Sequence, residues 1–193
     1  WSRGQMIIFV GTSSMINGLN MIIYFFGILD IPGKIKRGDL DQYLTKPVSP
    51  LLRLTFENVN PGSLPLIVLS ALIIGYGVSI EGITVSFLTG VCYVILVLVM
   101  TVLWYDMELI LRTIPFFVFS ENGVIAVESQ MLDLNFKVPG VLYKGVFKMI
   151  FYFILPYGLM STIPTQVLTN SISPVGVLSA VGVAAFFTAF ALW

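Results

Sequence analysis

Long apolar runs separated by short polar segments dominate the pattern of this chain. Gly4–Leu29 and Asn58–Ile80 contain no charged residue, and each is long enough to cross about 30 Å of hydrocarbon as a helix. The stretch between them, Asp30–Asn60, holds nine of the twenty charged residues. The pattern predicts two membrane spans joined by a polar segment, which we call the charged hinge (residues 30–60).

The apolar runs and their breaks predict five spans in all. Pro32 and Gly33 are expected to end the first span, and the charge-free stretch from Met149 onward is too long for a single span. The predicted spans are Gln5–Leu29, Gly62–Ile80, Ile83–Tyr105, Val141–Ile163 and Val175–Trp193. Residues 113–140 are mixed in character and are interpreted as an interfacial helix plus a loop on the cytoplasmic side.

Polar side chains in and beside the spans have simple structural interpretations. The first span carries a group best explained by hydrogen bonds between helices: Thr12, Ser13, Ser14, Asn17 and Asn20. Trp104 and Tyr105 are predicted to end the third span at the membrane interface. Glu108 and Arg112 lie four residues apart, which predicts a solvated helix end. The small residues Gly176, Ala180 and Ala184 predict a close helix-packing face on the last span.

Composition supports an all-α, polytopic transmembrane helical bundle. The 193 residues are 57% apolar and only 10% charged, with a mean hydropathy of +0.96. The formal net charge is zero, so nothing indicates a nucleic-acid partner. In this topology nine of the ten Lys and Arg residues fall on the side of the hinge and only Arg3 on the other. The positive-inside tendency therefore predicts a cytoplasmic hinge.

The charged hinge itself contains a predicted short helix. Leu40, Tyr43 and Leu44 follow amphipathic helical spacing, Pro47 is expected to end that helix, and Ser49 with Pro50 is typical of a new helix start. On residue chemistry alone two interpretations stay open. The hinge is either an ordinary solvated loop or a docking element that transmits the movement of a partner.

Candidate catalytic chemistry is lacking. The chain has no histidine, and no span centre carries an ionisable residue, which argues against a proton-coupled pump and against an intramembrane hydrolase. Gly27–Ile35 superficially resembles a phosphate-binding loop, but it has five residues instead of four between the glycines and Ile35 where Ser or Thr is required. We therefore predict no enzyme activity, no metal site and no cofactor in this chain.

Ile35–Leu52, IKRGDLDQYLTKPVSPLL, resembles a motif of type-2 ABC exporter permeases, I-x-x-G-x-L-D-x-x-L-x-x-P-x-x-P-L-L. The subgroup is the one paired with daunorubicin-resistance-like ATPases. Tyr143–Gly145 and Phe153–Pro164 are similar to its fifth span and the following turn. The resemblance implies six spans per subunit, so that one N-terminal span would precede the five predicted here within a permease domain covering residues 1–193.

The resemblance also implies the partners and the site. A second permease, identical or paralogous, and an ABC ATPase dimer holding ATP and Mg²⁺ would complete the transporter in a bacterial cytoplasmic membrane. Residues 35–47 would be the coupling helix seated in a cleft of the ATPase. The candidate coupling residues are Lys36, Arg37, Gly38, Asp39, Leu40, Asp41, Tyr43, Leu44 and Pro47.

The resulting hypothesis is a permease subunit that exports an amphiphilic or hydrophobic substrate. Candidate pathway-lining residues, by geometry, are the aromatic side chains of Tyr24, Phe25, Phe151, Tyr152 and Tyr157. Two alternatives remain at this point. One is a secondary transporter or channel driven by a gradient, and the other is a membrane scaffold that binds partners without transporting anything.

Overall fold

The computed structural model describes residues 1–39, 41–45, 47, 49–113, 129–130, 133–134 and 136–193, without the side chains of Lys36 and Leu44. The described chain is helical, which confirms the predicted fold class. Its α-helices are α1 (Arg3–Ile23), α2 (Phe25–Leu29), α3 (Ile31–Arg37), α4 (Asp41–Leu44), α5 (Pro50–Phe56), α6 (Leu64–Glu81), α7 (Phe87–Thr113), α8 (Gly145–Met149), α9 (Tyr157–Met160), α10 (Thr162–Leu168) and α11 (Pro174–Leu192). Most of the interfacial segment predicted at 113–140 lies outside these residues.

Among the described residues, four helices are long and apolar enough to cross a membrane: α1, α6 with its preceding turn (Pro61–Glu81), α7 and α11. A fifth candidate is a broken pair, Gly145–Ile154 with Tyr157–Leu168, whose two halves are bent by 83°. The five predicted spans are therefore present if the bent pair counts as one.

The end of the first span differs from the prediction. α1 stops at Ile23 because Tyr24 leaves the helical conformation, with φ −139°. Pro32 and Gly33 do not end a helix, since both lie inside α3. Proline is compatible with a first turn because the N–H that it lacks has no partner there. α3 ends instead at Gly38, whose φ of +72° suits a residue without a side chain.

α7 is longer than predicted, since it continues from Phe87 to Thr113 instead of ending at Tyr105. Trp104 is 2% exposed, so its ring packs inside the bundle instead of facing lipid head groups; its depth at the membrane interface stays a prediction. The solvated helix end predicted from Glu108 and Arg112 is also wrong, because both side chains are buried. The end of the helix is covered by other helices, among them α1 and α3, which contact α7.

The fourth predicted span, Val141–Ile163, is not one continuous helix. α8 runs into a π-helical turn at Ile150–Ile154, and Pro156 lies at the bend before α9. Proline lacks the donor that a continuing helix needs and its ring clashes with the preceding turn. The backbone N–H of Gly140 donates to Thr162 Oγ1 at 2.8 Å, which ties the preceding segment to α10.

Small residues allow the main helices to pack closely. α1 lies along α6, and a Cβ added at Gly11 would approach Ile74 Cγ1 to 2.7 Å. On α11, Ala180 and Ala184 of the predicted small-residue face are buried, and this helix packs against α7. The main hydrophobic core lies where α1, α7, α10 and α11 meet.

Candidate coupling site

The charged hinge is folded into three short helices rather than a loop. α3 and α5 flank α4, and Tyr43 of α4 points inward with 9% of its surface exposed. Ser49 precedes Pro50 at the start of α5, as predicted, although its side chain makes no capping hydrogen bond. The predicted short helix is thus present as Asp41–Leu44.

Charged side chains surround Tyr43 and hold it in place. We call this group, Lys34, Arg53 and Glu57, the ionic bracket. The Tyr43 hydroxyl donates to Glu57, 2.9 Å from either carboxylate oxygen, and Glu57 forms a salt bridge with Lys34. Lys34 Nζ and Arg53 Cζ each lie 4.9 Å from the centroid of the Tyr43 ring, within the range of cation–π attraction. One side chain from α4 is therefore held by cations of α3 and α5.

The bracket shifts the pKa of both members of its ion pair. The hydrogen bond from Lys34 lowers the pKa of Glu57 below its ordinary value, although burial opposes this effect. Burial alone would lower the pKa of Lys34, but the hydrogen bonds with Glu57 and Tyr43 and the charge of Glu57 outweigh it, so that the pKa is raised. Both shifts favour the charged pair.

Beneath the bracket the hinge has a small hydrophobic core of its own. Tyr43, Ile31 and Leu54 from the hinge pack with Ile28 of α2 and with Leu109 near the end of α7. Apolar contact thus runs without a gap from the short helix α4 to a membrane-spanning helix. An ordinary solvated loop would bury no such core, so the hinge is a packed part of the subunit. Docking of a partner on it stays a prediction.

Two further contacts join the hinge to the bundle. The hydroxyls of Thr55 on α5 and Tyr105 on α7 lie 2.9 Å apart, within hydrogen-bond distance. Gly27 lies directly against the backbone of α5, where an added Cβ would come within 2.2 Å of the Leu54 carbonyl oxygen. The hinge is therefore in direct contact with α2 and α7.

The candidate coupling residues fall into three groups. Arg37, Gly38, Asp39, Asp41 and Pro47 are on the outer surface or partly exposed there. Tyr43 is buried in the bracket. Leu40 and the side chains of Lys36 and Leu44 lie outside the described part of the structure. Contact of any of the nine residues with an ATPase stays a prediction.

The five candidate pathway aromatics are not all brought together. Phe151, Tyr152 and Tyr157 share the main hydrophobic core, whereas Tyr24 lies in the core of the hinge. Tyr24 donates to the Thr101 carbonyl at 2.7 Å, and Phe25 lies beside it. Phe151 stacks on Tyr143 at a centroid distance of 4.7 Å, and Tyr157 is 1% exposed. Tyr152 lies under Lys148, 5.6 Å from its ammonium. A role in a pathway stays a prediction.

Sequence reasoning missed a buried polar cluster near the hinge-side end of α7. Trp104 Nε1 donates to Glu108 Oε1 at 2.9 Å, and Asn20 Nδ2 donates to the same oxygen at 3.3 Å. The hydroxyls of Thr12 and Tyr93 lie 2.8 Å apart further along the α1–α7 interface. Thr12 and Asn20 thus hydrogen-bond between helices as predicted, whereas Ser13 bonds to Phe9 of its own helix.

The fold is that of a multi-pass helical membrane protein. It has several candidate spans, and polar side chains form hydrogen bonds between them. Over residues 1–193 the chain matches the model of the family described as ABC-2 family transporter protein. The chain belongs to this family, and it is therefore a permease component of an ABC transporter, a transport subunit. No curated protein and no solved structure matches it.

Proposed function

We propose that this chain is the permease of an ABC exporter whose ATP is hydrolysed by a separate ATPase dimer docked on the charged hinge. The observation that carries the proposal is the hydrophobic core of the hinge, which connects the exposed turn around Asp41 to Leu109 of α7. A continuous packed connection of this kind would let a docked partner move a span.

The finer parts of the proposal follow from charge and from the family. Nine of the ten cations lie on the side of the hinge in the predicted topology, which supports its placement in the cytoplasm. A second permease subunit, a bacterial cytoplasmic membrane and the subgroup paired with daunorubicin-resistance-like ATPases are further parts of the proposal. The apolar surfaces of the spans favour an amphiphilic or hydrophobic substrate.

The decisive experiment is affinity purification of the protein from its native membrane together with its ATPase, followed by measurement of ATP hydrolysis in the eluate. Asp41→Arg reverses a charge at the exposed start of α4 and is expected to abolish co-elution of the ATPase. Asp133→Arg makes the same charge change at an exposed site outside the hinge and is expected to leave co-elution intact.

If Asp41→Arg and Asp133→Arg both lost the co-eluting ATPase, or both retained it, docking on the hinge would be contradicted. Flux through reconstituted vesicles then separates the remaining classes. Flux that follows an ion gradient without ATP would support a secondary transporter, and a protein that binds partners but shows no flux would support a scaffold.

A further inference from the structure

We propose that the cleft between α5, α7 and α11 binds a monocationic amphiphile, with its cationic head at Asp106 and its chain along the apolar wall. The inference rests on the proposed export function for the role of the site, as a place where cargo enters the permease. Binding itself requires neither ATP nor the ATPase.

The cleft has the size and lining of a small-molecule site. It encloses about 360 Å³, within the range of about 300–1,000 Å³ typical of ligand pockets. Its walls include Leu52 and Phe56 of α5 and Val102 of α7, all three of them exposed at the surface of the subunit. The cleft is therefore apolar and open at the surface of the subunit.

One carboxylate lies in this apolar cleft. Asp106 is 1% exposed, and its Oδ2 accepts a hydrogen bond from Thr188 Oγ1 of α11 at 2.5 Å. No lysine or arginine is among the described residues that line the cleft, and Asp106 takes part in none of the salt bridges of the described chain. A buried carboxylate is costly unless it is paired, so a cationic ligand complements this site in charge.

The depth of Asp106 suits the head group of an amphiphile. Asp106 lies about 28 Å along the axis of α7 from Phe87, where the helix begins. With Phe87 at the far boundary of a hydrocarbon core about 30 Å thick, Asp106 would lie near the boundary on the side of the hinge. A charged head at this depth would keep its chain inside the hydrocarbon.

An adjoining groove offers a path for that chain. A second apolar space of about 350 Å³ continues from the cleft between α7 and α11 and shares Leu98, Val102 and Thr188 with it. Membrane lipids would fill any such groove with their acyl chains. The specific content of the proposal is therefore the preference for a cationic head.

The test measures saturation binding of radiolabelled probes to the full-length protein in phosphatidylcholine nanodiscs, with empty nanodiscs as the blank. Dodecyltrimethylammonium is the cationic probe, and tetraethylene glycol monododecyl ether has the same chain with a neutral head. We expect the cation to bind at least tenfold more tightly. Equal binding of the two probes would overturn the proposal.

Two variants test whether Asp106 causes the preference for the cationic probe over the neutral one. Asp106→Asn keeps a side-chain oxygen for Thr188 but removes the charge, and it is expected to abolish the tenfold difference. Asp133→Asn removes an exposed carboxylate and is expected to preserve the difference. A preference that survives in Asp106→Asn would contradict the assignment.

If Asp106→Asn does not fold, Val102→Trp fills the cleft beside the carboxylate and is expected to weaken binding of the cationic probe at least fivefold. Unchanged binding in a folded Val102→Trp variant would also overturn the proposal. A negative result in the probe-binding test would leave the docking experiment on Asp41 unaffected, because the nanodiscs contain no ATPase. Failure of ATPase co-elution likewise leaves the binding result standing.

Discussion

The charged hinge and the neighbouring end of α7 both carry ionisable side chains, but they hold them in different surroundings. In the hinge, Arg37 pairs with Asp39 and Asp30 through a side chain that is 55% exposed. At the end of α7, Glu108 is 1% exposed and accepts hydrogen bonds from Trp104 and Asn20. Both regions are rich in charge, yet Arg37 faces outward and Glu108 faces the core.

The difference separates charges that hold the fold from charges available to a partner. Removal of a buried hydrogen-bond acceptor costs about 1–3 kcal/mol for each donor left unsatisfied, whereas an exposed ion pair contributes about 0–1 kcal/mol. The Lys34–Glu57 pair is intermediate, since the lysine side chain is 8% exposed and the glutamate 33%. Substitutions should therefore reduce stability most at Glu108, less at the Lys34–Glu57 pair and least at Arg37.

The largest effect is expected for Glu108→Leu. This change leaves two donors, Trp104 Nε1 and Asn20 Nδ2, without their shared acceptor, and we expect it to lower the free energy of unfolding by about 3 kcal/mol. Chemical unfolding in detergent micelles, followed by far-UV circular dichroism, measures the loss. Glu108→Gln keeps an acceptor of the same size and should lose less than half as much. Equal losses would show that the hydrogen bonds do not matter.

The contrast also explains which parts of the fold could be predicted from sequence. The spans were predictable because a run of twenty apolar residues has few other stable environments. The end of α7 was not, because charged residues after Tyr105 are ordinarily evidence of water. Their burial depends on helices distant in the chain, such as α1, which no local pattern around Glu108 reveals.

Two features of the packing could be predicted from the sequence. Gly4, Gly11 and Gly18 follow one another at intervals of seven and are all buried on α1, a spacing typical of a close helix-packing face. The short helix of the hinge was predictable from the spacing around Tyr43. The hydrogen bond from Tyr43 to Glu57 was not predictable, because the two residues are fourteen positions apart and α5 lies between them.

An intermediate effect, dependent on pH, is expected for the Lys34–Glu57 pair. The pKa of Glu57 is lowered in the folded protein from an ordinary value of 4.5, so the pair stabilises the fold above that value and the stabilisation is lost as the pH falls through the lower, folded-state pKa. At pH 7 we expect Glu57→Gln to be less stable than the unsubstituted protein by about 1 kcal/mol.

Unfolding curves of the two proteins, recorded from pH 8 down to pH 3, test the predicted direction of this pH dependence. The difference between them should shrink below pH 4.5 and should remain constant between pH 6 and pH 8, where Lys34 and Glu57 both stay charged. A difference that grows toward acid would mean that Glu57 is buried in its protonated form and that the bracket is not ionic.

The smallest effect on stability, and the sharpest test of the contrast, is expected for Arg37→Gln. Its guanidinium contacts Asp39 at 2.8 Å and Asp30 at 3.3 Å, but water replaces these contacts readily at an exposed site, so the unfolding curve should not change measurably. Co-elution of the ATPase should nevertheless fall, because the outward face of the hinge loses a charge. Arg3→Gln, an exposed cation at the start of α1, should alter neither measurement. A loss of stability with intact co-elution would reverse the assignment and make Arg37 part of the fold rather than of the docking surface.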